Sequence, residues 1–108
     1  MKQLVFHNRD FLNGEPYTTE NAIAEGAGLS RRSVINRINQ YLDDLLEFGP
    51  VISRLERMES TGRPQKRFYL SEPQASLMII YLKNTDEARE FKQQLIKQFW
   101  EIRNNKKY

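Results

Sequence analysis

The chain has 108 residues, 39% hydrophobic and 29% charged, which fits one soluble globular domain with one modest core and excludes a disordered chain. It has no cysteine, its longest apolar run is only Leu77 to Leu82, and MKQLVFHNRD lacks the pattern of a secretion signal, so disulfides, thiolate metal sites and a membrane span are excluded and a cytoplasmic protein is expected. The net charge of +3 is mild, but six of the 17 basic residues fall in two segments without an acid, Gly26–Leu42 with Arg31, Arg32 and Arg37, and Ser60–Ser71 with Arg63, Lys66 and Arg67.

Leu4-Val5-Phe6 reads as a short strand and Asn13-Gly14-Glu15-Pro16 as a turn. Thr18 or Thr19 then N-caps a helix, since either hydroxyl accepts from an orphan backbone N–H. Ala22, Ile23 and Ala24 give that helix its apolar side, and Gly26-Ala27-Gly28 ends it where the backbone needs a positive φ. Ser30 caps a second, longer helix that the pattern carries to about Phe48. At about 100° per residue, Val34, Ile38, Tyr41, Leu42 and Leu45 share one side, while Arg32, Ser33, Asn36 and Gln40 share the other, with Arg37 flanking it. Asp43, Asp44 and Glu47 make its last third acidic and hostile to a phosphate backbone.

Gly49-Pro50 stops this helix. Val51 to Leu55 reads as a strand, Glu59 to Gln65 as a polar loop and Lys66 to Leu70 as the returning strand. A basic hairpin directly after a recognition-type helix describes a wing. Ser71 opens a third helix with Gln74 at capping-box spacing, apolar nearly all round from Leu77 to Leu82 and therefore expected to be buried on several sides. Thr85 caps the last helix, whose stripe is Ala88, Phe91, Leu95, Phe99 and Ile102. Trp100 and Ile96 point roughly 140° and 100° away from that stripe, so one core face cannot cover both. They either pack under the N-terminal segment or form a dimer interface, the reading preferred here because helix-turn-helix proteins commonly read paired half-sites. The tail from Asn104 to Tyr108 is expected to fray.

The fold expected is α+β: one domain over residues 1–108, helix-turn-helix-like over 18–48, a two-strand wing over 51–70 and a C-terminal helical pair over 71–103. Residue chemistry points to double-stranded DNA. Arg bonds guanine O6/N7 and Asn bonds adenine N6/N7, each bidentately, so Arg32 and Asn36 are the base-reading candidates, with Ser33 and Gln40 secondary. Arg31 and Arg37 suit phosphates, as do Arg63 and Lys66 in the wing, whereas strand alternation leaves the direction of Arg67 open.

Enzyme chemistry finds no support in the sequence. His7 is the only histidine and makes neither a metal site nor a triad. Asp43 and Asp44 are adjacent on a helix and diverge. Asp86, Glu87 and Glu90 suit the helix dipole, and there is no Gly-rich phosphate loop. No catalytic residue, metal or cofactor is expected. RNA is a weaker partner than duplex DNA, because the aromatics sit at core-type positions rather than on an open sheet face.

From Gly62 to Arg103 the chain resembles the C-terminal part of the Rha family of phage regulatory proteins. The resemblance is carried by Gly62-Arg63-Pro64, by Tyr69-Leu70 followed by Gln74, by Leu82-Lys83-Asn84-Thr85, and by Phe91-Lys92 with Leu95, Phe99 and Arg103. Upstream, Ile23-Ala24 with Val34 and Ile38 is similar to the same family's helix-turn-helix-like half, and IAEGAGLSRRSVINRINQYL is similar to the helix-turn-helix of winged-helix repressors. Many family members carry a His near the start of the second helix, where this chain has Ser30-Arg31-Arg32. The resemblance implies a phage or prophage regulator without enzymatic activity and leaves the molecular target open. Two readings remain: a DNA-binding homodimer that occupies an operator, and a small module that binds and inactivates a host repressor or defence protein through the Trp100 face or the acidic surface near Asp43.

Overall fold

The computed structural model describes residues 2–57 and 62–104. Glu59, Ser60 and Thr61 of the expected wing loop, and the tail beyond Asn104, lie outside the described residues. The elements in chain order are β1 (Tyr17–Thr19), α1 (Glu20–Ala27), α2 (Arg31–Gln40), α3 (Leu42–Leu46), β2 (Ile52–Arg57), β3 (Pro64–Ser71), α4 (Glu72–Ile80) and α5 (Asp86–Asn104). The architecture is α+β, with five α-helices and one open antiparallel sheet among the described residues.

The sheet has three strands in the order β1-β3-β2, not the two of a simple hairpin. The third strand is Tyr17-Thr18-Thr19, which pairs with Ser71, Leu70 and Tyr69. Three residues carry too little alternation to read as a strand; partners 50 to 54 positions away make them one. The expected Leu4–Phe6 strand is reduced to a single bridge between Phe6 and Tyr17. Leu4 and Val5 are nonetheless fully committed to the core. Their N–H groups donate to Gln98 Oε1 of α5 at 2.7 and 3.1 Å, so a side chain does what a neighbouring strand would otherwise do.

The second helix does not run to Phe48. It ends at Gln40, and Tyr41 leaves helical geometry at φ −107°, ψ 23° before the short α3 resumes. Tyr41 stacks on Tyr81 with ring centroids 4.1 Å apart, and the Tyr81 hydroxyl donates to Asp44 Oδ2 at 2.7 Å. That hydrogen bond above all, then burial and the nearby negative charge, raises Tyr81 above the ordinary tyrosine pKa. With the helix bent there, Val34, Ile38 and Leu45 still all reach the core.

Caps and turns follow the local chemistry. Thr19 accepts from the Ala22 N–H at 3.1 Å and Ser30 from the Ser33 N–H at 3.1 Å. Gly28 closes α1 in the left-handed region at φ 71°. Gly26 has another role: it lies inside α1, where a Cβ would stand 2.1 Å from the Phe91 ring of α5. Its missing side chain is what allows α1 and α5 to touch. Ser71 and Gln74 form a complete capping box. The buried Gln74 amide also donates to the carbonyls of Leu45, Gly49 and Pro50 at 3.3, 3.0 and 3.2 Å, fixing the link between α3 and the hairpin.

The core gathers Val5, Ile23, Val34, Leu70, Met78 and Phe99 between the helices and one sheet face. The periodic stripe of α5 is buried at Ala88, Phe91, Leu95 and Phe99. On the other sheet face the N-terminal segment supplies Phe11, which meets Tyr69 and Tyr17 edge-on at 4.8 and 5.3 Å and lies 4.3 Å beneath the Arg54 guanidinium. The expectation that the third helix is buried on several sides fails at its end. Ile80 is 70% exposed, because α4 stops there and the chain turns away at Tyr81.

Candidate nucleic-acid interface

The site is built on α2, whose Val34 and Ile38 are anchored in the core. Helical periodicity therefore turns Arg32, Asn36, Asn39 and Gln40 outward, and all four are exposed. Ser33 is half-buried at one border of this stripe. Arg37 is also half-buried, and its Nε is enclosed without a hydrogen-bond partner, so it stands to the side of the stripe rather than in it. The acids Asp43, Asp44 and Glu47 fall beyond the break at Tyr41.

Glu20 joins this helix to the hairpin. Its side chain is entirely buried at the first residue of α1. Strand β1 stops opposite Tyr69, and the next N–H of β3, that of Phe68, donates to Glu20 Oε1 at 2.8 Å. Arg31 Nε of α2 donates to Glu20 Oε2 at 2.8 Å, and Arg67 Nε lies 3.6 Å from Glu20 Oε1. A buried carboxylate needs such compensation; here it comes from one guanidinium of α2 and from a guanidinium and a backbone amide of β3. The Arg31 guanidinium also donates to the Lys66 carbonyl. The two acid-free basic segments therefore meet in space, through an acid that lies in neither.

This changes the positions of two candidates. Arg31, expected on a phosphate, has its Nε engaged by Glu20, and Arg67 pairs with Glu20 and, at 3.9 Å, with Glu56. Lys66 lies on the opposite side of β3 from Arg67, on the face turned toward α2, and is exposed. Arg63 is exposed just before β3. Between α2 and the hairpin runs an open groove with Ile35, Asn39 and Leu42 on the helix side and Ser53, Lys66 and Phe68 on the hairpin side. Among the described residues that line it there is no acid.

Asn39 was missed in the sequence, although on the wheel it lies close to Arg32, on the side away from Gln40; what the packing of α2 against the hairpin adds is that it lines the groove. Ile96 and Trp100, singled out as facing away from the core, are 55% and 57% exposed. Packing under the N-terminal segment is therefore not their role; α5 turns Gln98 to that segment instead.

Among the described residues no group of three His, Asp or Glu side chains is placed to hold a metal ion, and no helix is long and apolar enough to cross a membrane. The family model described as phage regulatory protein Rha matches residues 18–104. No curated protein and no solved structure matches the chain.

Proposed function

The chain belongs to the phage regulatory protein Rha family, and from that premise we propose that it regulates transcription by binding duplex DNA in a winged-helix manner and occupying an operator. The observation that carries this reading is the convergence of the two basic segments. Through Glu20 and the Lys66 carbonyl, the first turn of α2 is tied to β3, so the exposed stripe of α2 and the basic side of the hairpin keep a fixed relation.

In this reading α2 enters the major groove. Arg32 and Asn36 read base edges, with Gln40 and Ser33 beside them. Arg63 and Lys66 contact the backbone. Arg31 and Arg67 hold the helix and the hairpin in place, and Arg37 lies at the margin of the contact. Ile96 and Trp100 of α5 pair two copies, so that two half-sites are read together and the few phosphate contacts of one copy are doubled.

Arg32→Ala and Asn36→Ala are each expected to weaken binding to a selected duplex by about 1–3 kcal/mol, and Arg63→Ala to weaken binding to all duplexes alike. The duplex is obtained by selection from a random pool, and affinity is followed against salt. Unchanged operator binding in both helix variants would falsify the recognition assignment.

One observation favours a second reading. Trp100 and Ile96 leave an apolar face on α5 exposed, which also suits a module that grips a host repressor or defence protein. A steep loss of duplex affinity with salt supports the DNA reading; no duplex binding even at low salt supports the protein-binding one.

A further inference from the structure

We infer that the DNA half-site taken by α2 is rich in A·T pairs, with Asn39 as an adenine-reading residue beside Asn36, and that guanine is read at one position only, by Arg32. This rests on the DNA-binding reading above and adds the class of sequence to it.

The inventory of exposed side chains on α2 carries the inference. Three of the four residues on the outward stripe are amides, Asn36, Asn39 and Gln40, and one is an arginine. A carboxamide offers a donor and an acceptor side by side, which matches adenine N6 and N7; a guanidinium offers only donors, which match guanine O6 and N7. Cytosine is read directly by a carboxylate accepting from its N4 amine, and α2 has no carboxylate. The stripe therefore carries groups for adenine, one for guanine and no acid for cytosine.

The spacing fits several base pairs. Asn36, Asn39 and Gln40 stand at i, i+3 and i+4, so they are neighbours on one face. From Arg32 to Gln40 the helix rises about 12 Å, while stacked bases rise about 3.4 Å, so the stripe spans three to four steps. Asn39 also lines the groove toward the hairpin together with the half-buried Ile35. An apolar side chain next to an adenine reader is placed to meet the methyl group of a thymine, the one apolar mark in the major groove.

The test uses the whole protein and a random duplex pool. The sites selected by the natural chain are expected to hold A·T pairs at two or more adjacent positions of each half-site and a single G·C pair beside them. Replacing any one of those A·T pairs by G·C is expected to weaken binding about 5- to 150-fold. Asn39→Ala, exposed and thus compatible with an intact fold by circular dichroism, is expected to lose discrimination at one A·T position only, with the remaining preferences and the salt slope unchanged. Duplex binding with G·C-rich selected sites, or an Asn39→Ala variant whose preferences match the natural chain at every position, overturns this inference and leaves DNA binding standing. Failure to bind any duplex at low salt overturns both.

Discussion

At Gly26 a single hydrogen in place of a methyl group decides how two helices meet. A Cβ there would stand 2.1 Å from one carbon of the Phe91 ring and 2.5 Å from the next. Phe91 is buried against the rest of the core, so its ring must shift out of its packed position to admit a methyl group. Gly26→Ala raises the helix propensity of α1, yet the overpacking is expected to dominate and to cost about 1–3 kcal/mol of stability. A urea unfolding curve measures it; a midpoint equal to or above that of the natural chain would contradict the contact. In the sequence Gly26-Ala27-Gly28 reads as one stop signal. Only Gly28 performs that function, with its φ of 71°. Gly26 serves a partner 65 positions away, which no local pattern encodes.

Among elements, the α1–α2–β3 junction depends on one charge. Glu20 holds Arg31 of α2, Arg67 of β3 and the Phe68 N–H at once. Glu20→Gln keeps the size but removes the charge, and one carboxamide oxygen cannot serve all three donors. The loss expected is about 1.5–3 kcal/mol, in the range for hydrogen bonds to charged groups, below that for a fully buried pair because Arg31 and Arg67 retain some contact with water. Under the proposed function the variant is also expected to lose more affinity for its selected site than for random duplex, since the helix and hairpin no longer share a fixed geometry. Equal losses for both would show that Glu20 serves folding alone. The junction is hidden in the sequence because the order of charges along the chain does not encode which of them meet in space. Both basic segments lack acids, yet Glu20 lies 11 residues before Arg31 and 47 before Arg67 and pairs with both. The break at Tyr41 was hidden for a similar reason: the apolar spacing continues through it, and the stack on Tyr81 comes from an element 40 residues later.

For the molecule as a whole, α5 presents one face to the core and another to solvent. Phe91, Leu95 and Phe99 are buried, whereas Ile96 and Trp100 are more than half exposed. A Trp left in water forgoes a large part of its burial energy, and such apolar exposure marks interaction surfaces. If α5 pairs two copies, sedimentation of the natural chain gives a concentration-dependent dimer, and Trp100→Ala with Ile96→Ala shifts it to monomer. Those substitutions lie outside the core, so the unfolding free energy, measured at a concentration at which the natural chain is monomeric, is expected to stay within about 0.5 kcal/mol of the natural chain. A natural chain that sediments as a monomer at every concentration would remove the dimer from the proposal. The N-terminal segment belongs to this scale too. Residues 2–17 lie outside the family match, but Leu4 and Val5 enter the common core, and Gln98 and Thr18 hold their backbone in place.

The sequence alone determined what depends on neighbours in the chain. Thr19, Ser30 and Ser71 cap helices because a hydroxyl reaches a backbone N–H three residues on. The α5 stripe and the outward row of Arg32, Asn36 and Gln40 follow from helical periodicity. The resemblance of Gly62 to Arg103 to the Rha family rests on local motifs and is matched by the family model over residues 18–104. Tertiary structure decided what depends on partners distant in sequence: the third strand at Tyr17–Thr19, the end of α2 at Gln40, the close approach at Gly26 and the groove that Asn39 lines. It also decided which arginines are engaged with Glu20. A buried carboxylate takes whichever cations the fold brings within reach, and only the folded chain places Arg31 and Arg67 there.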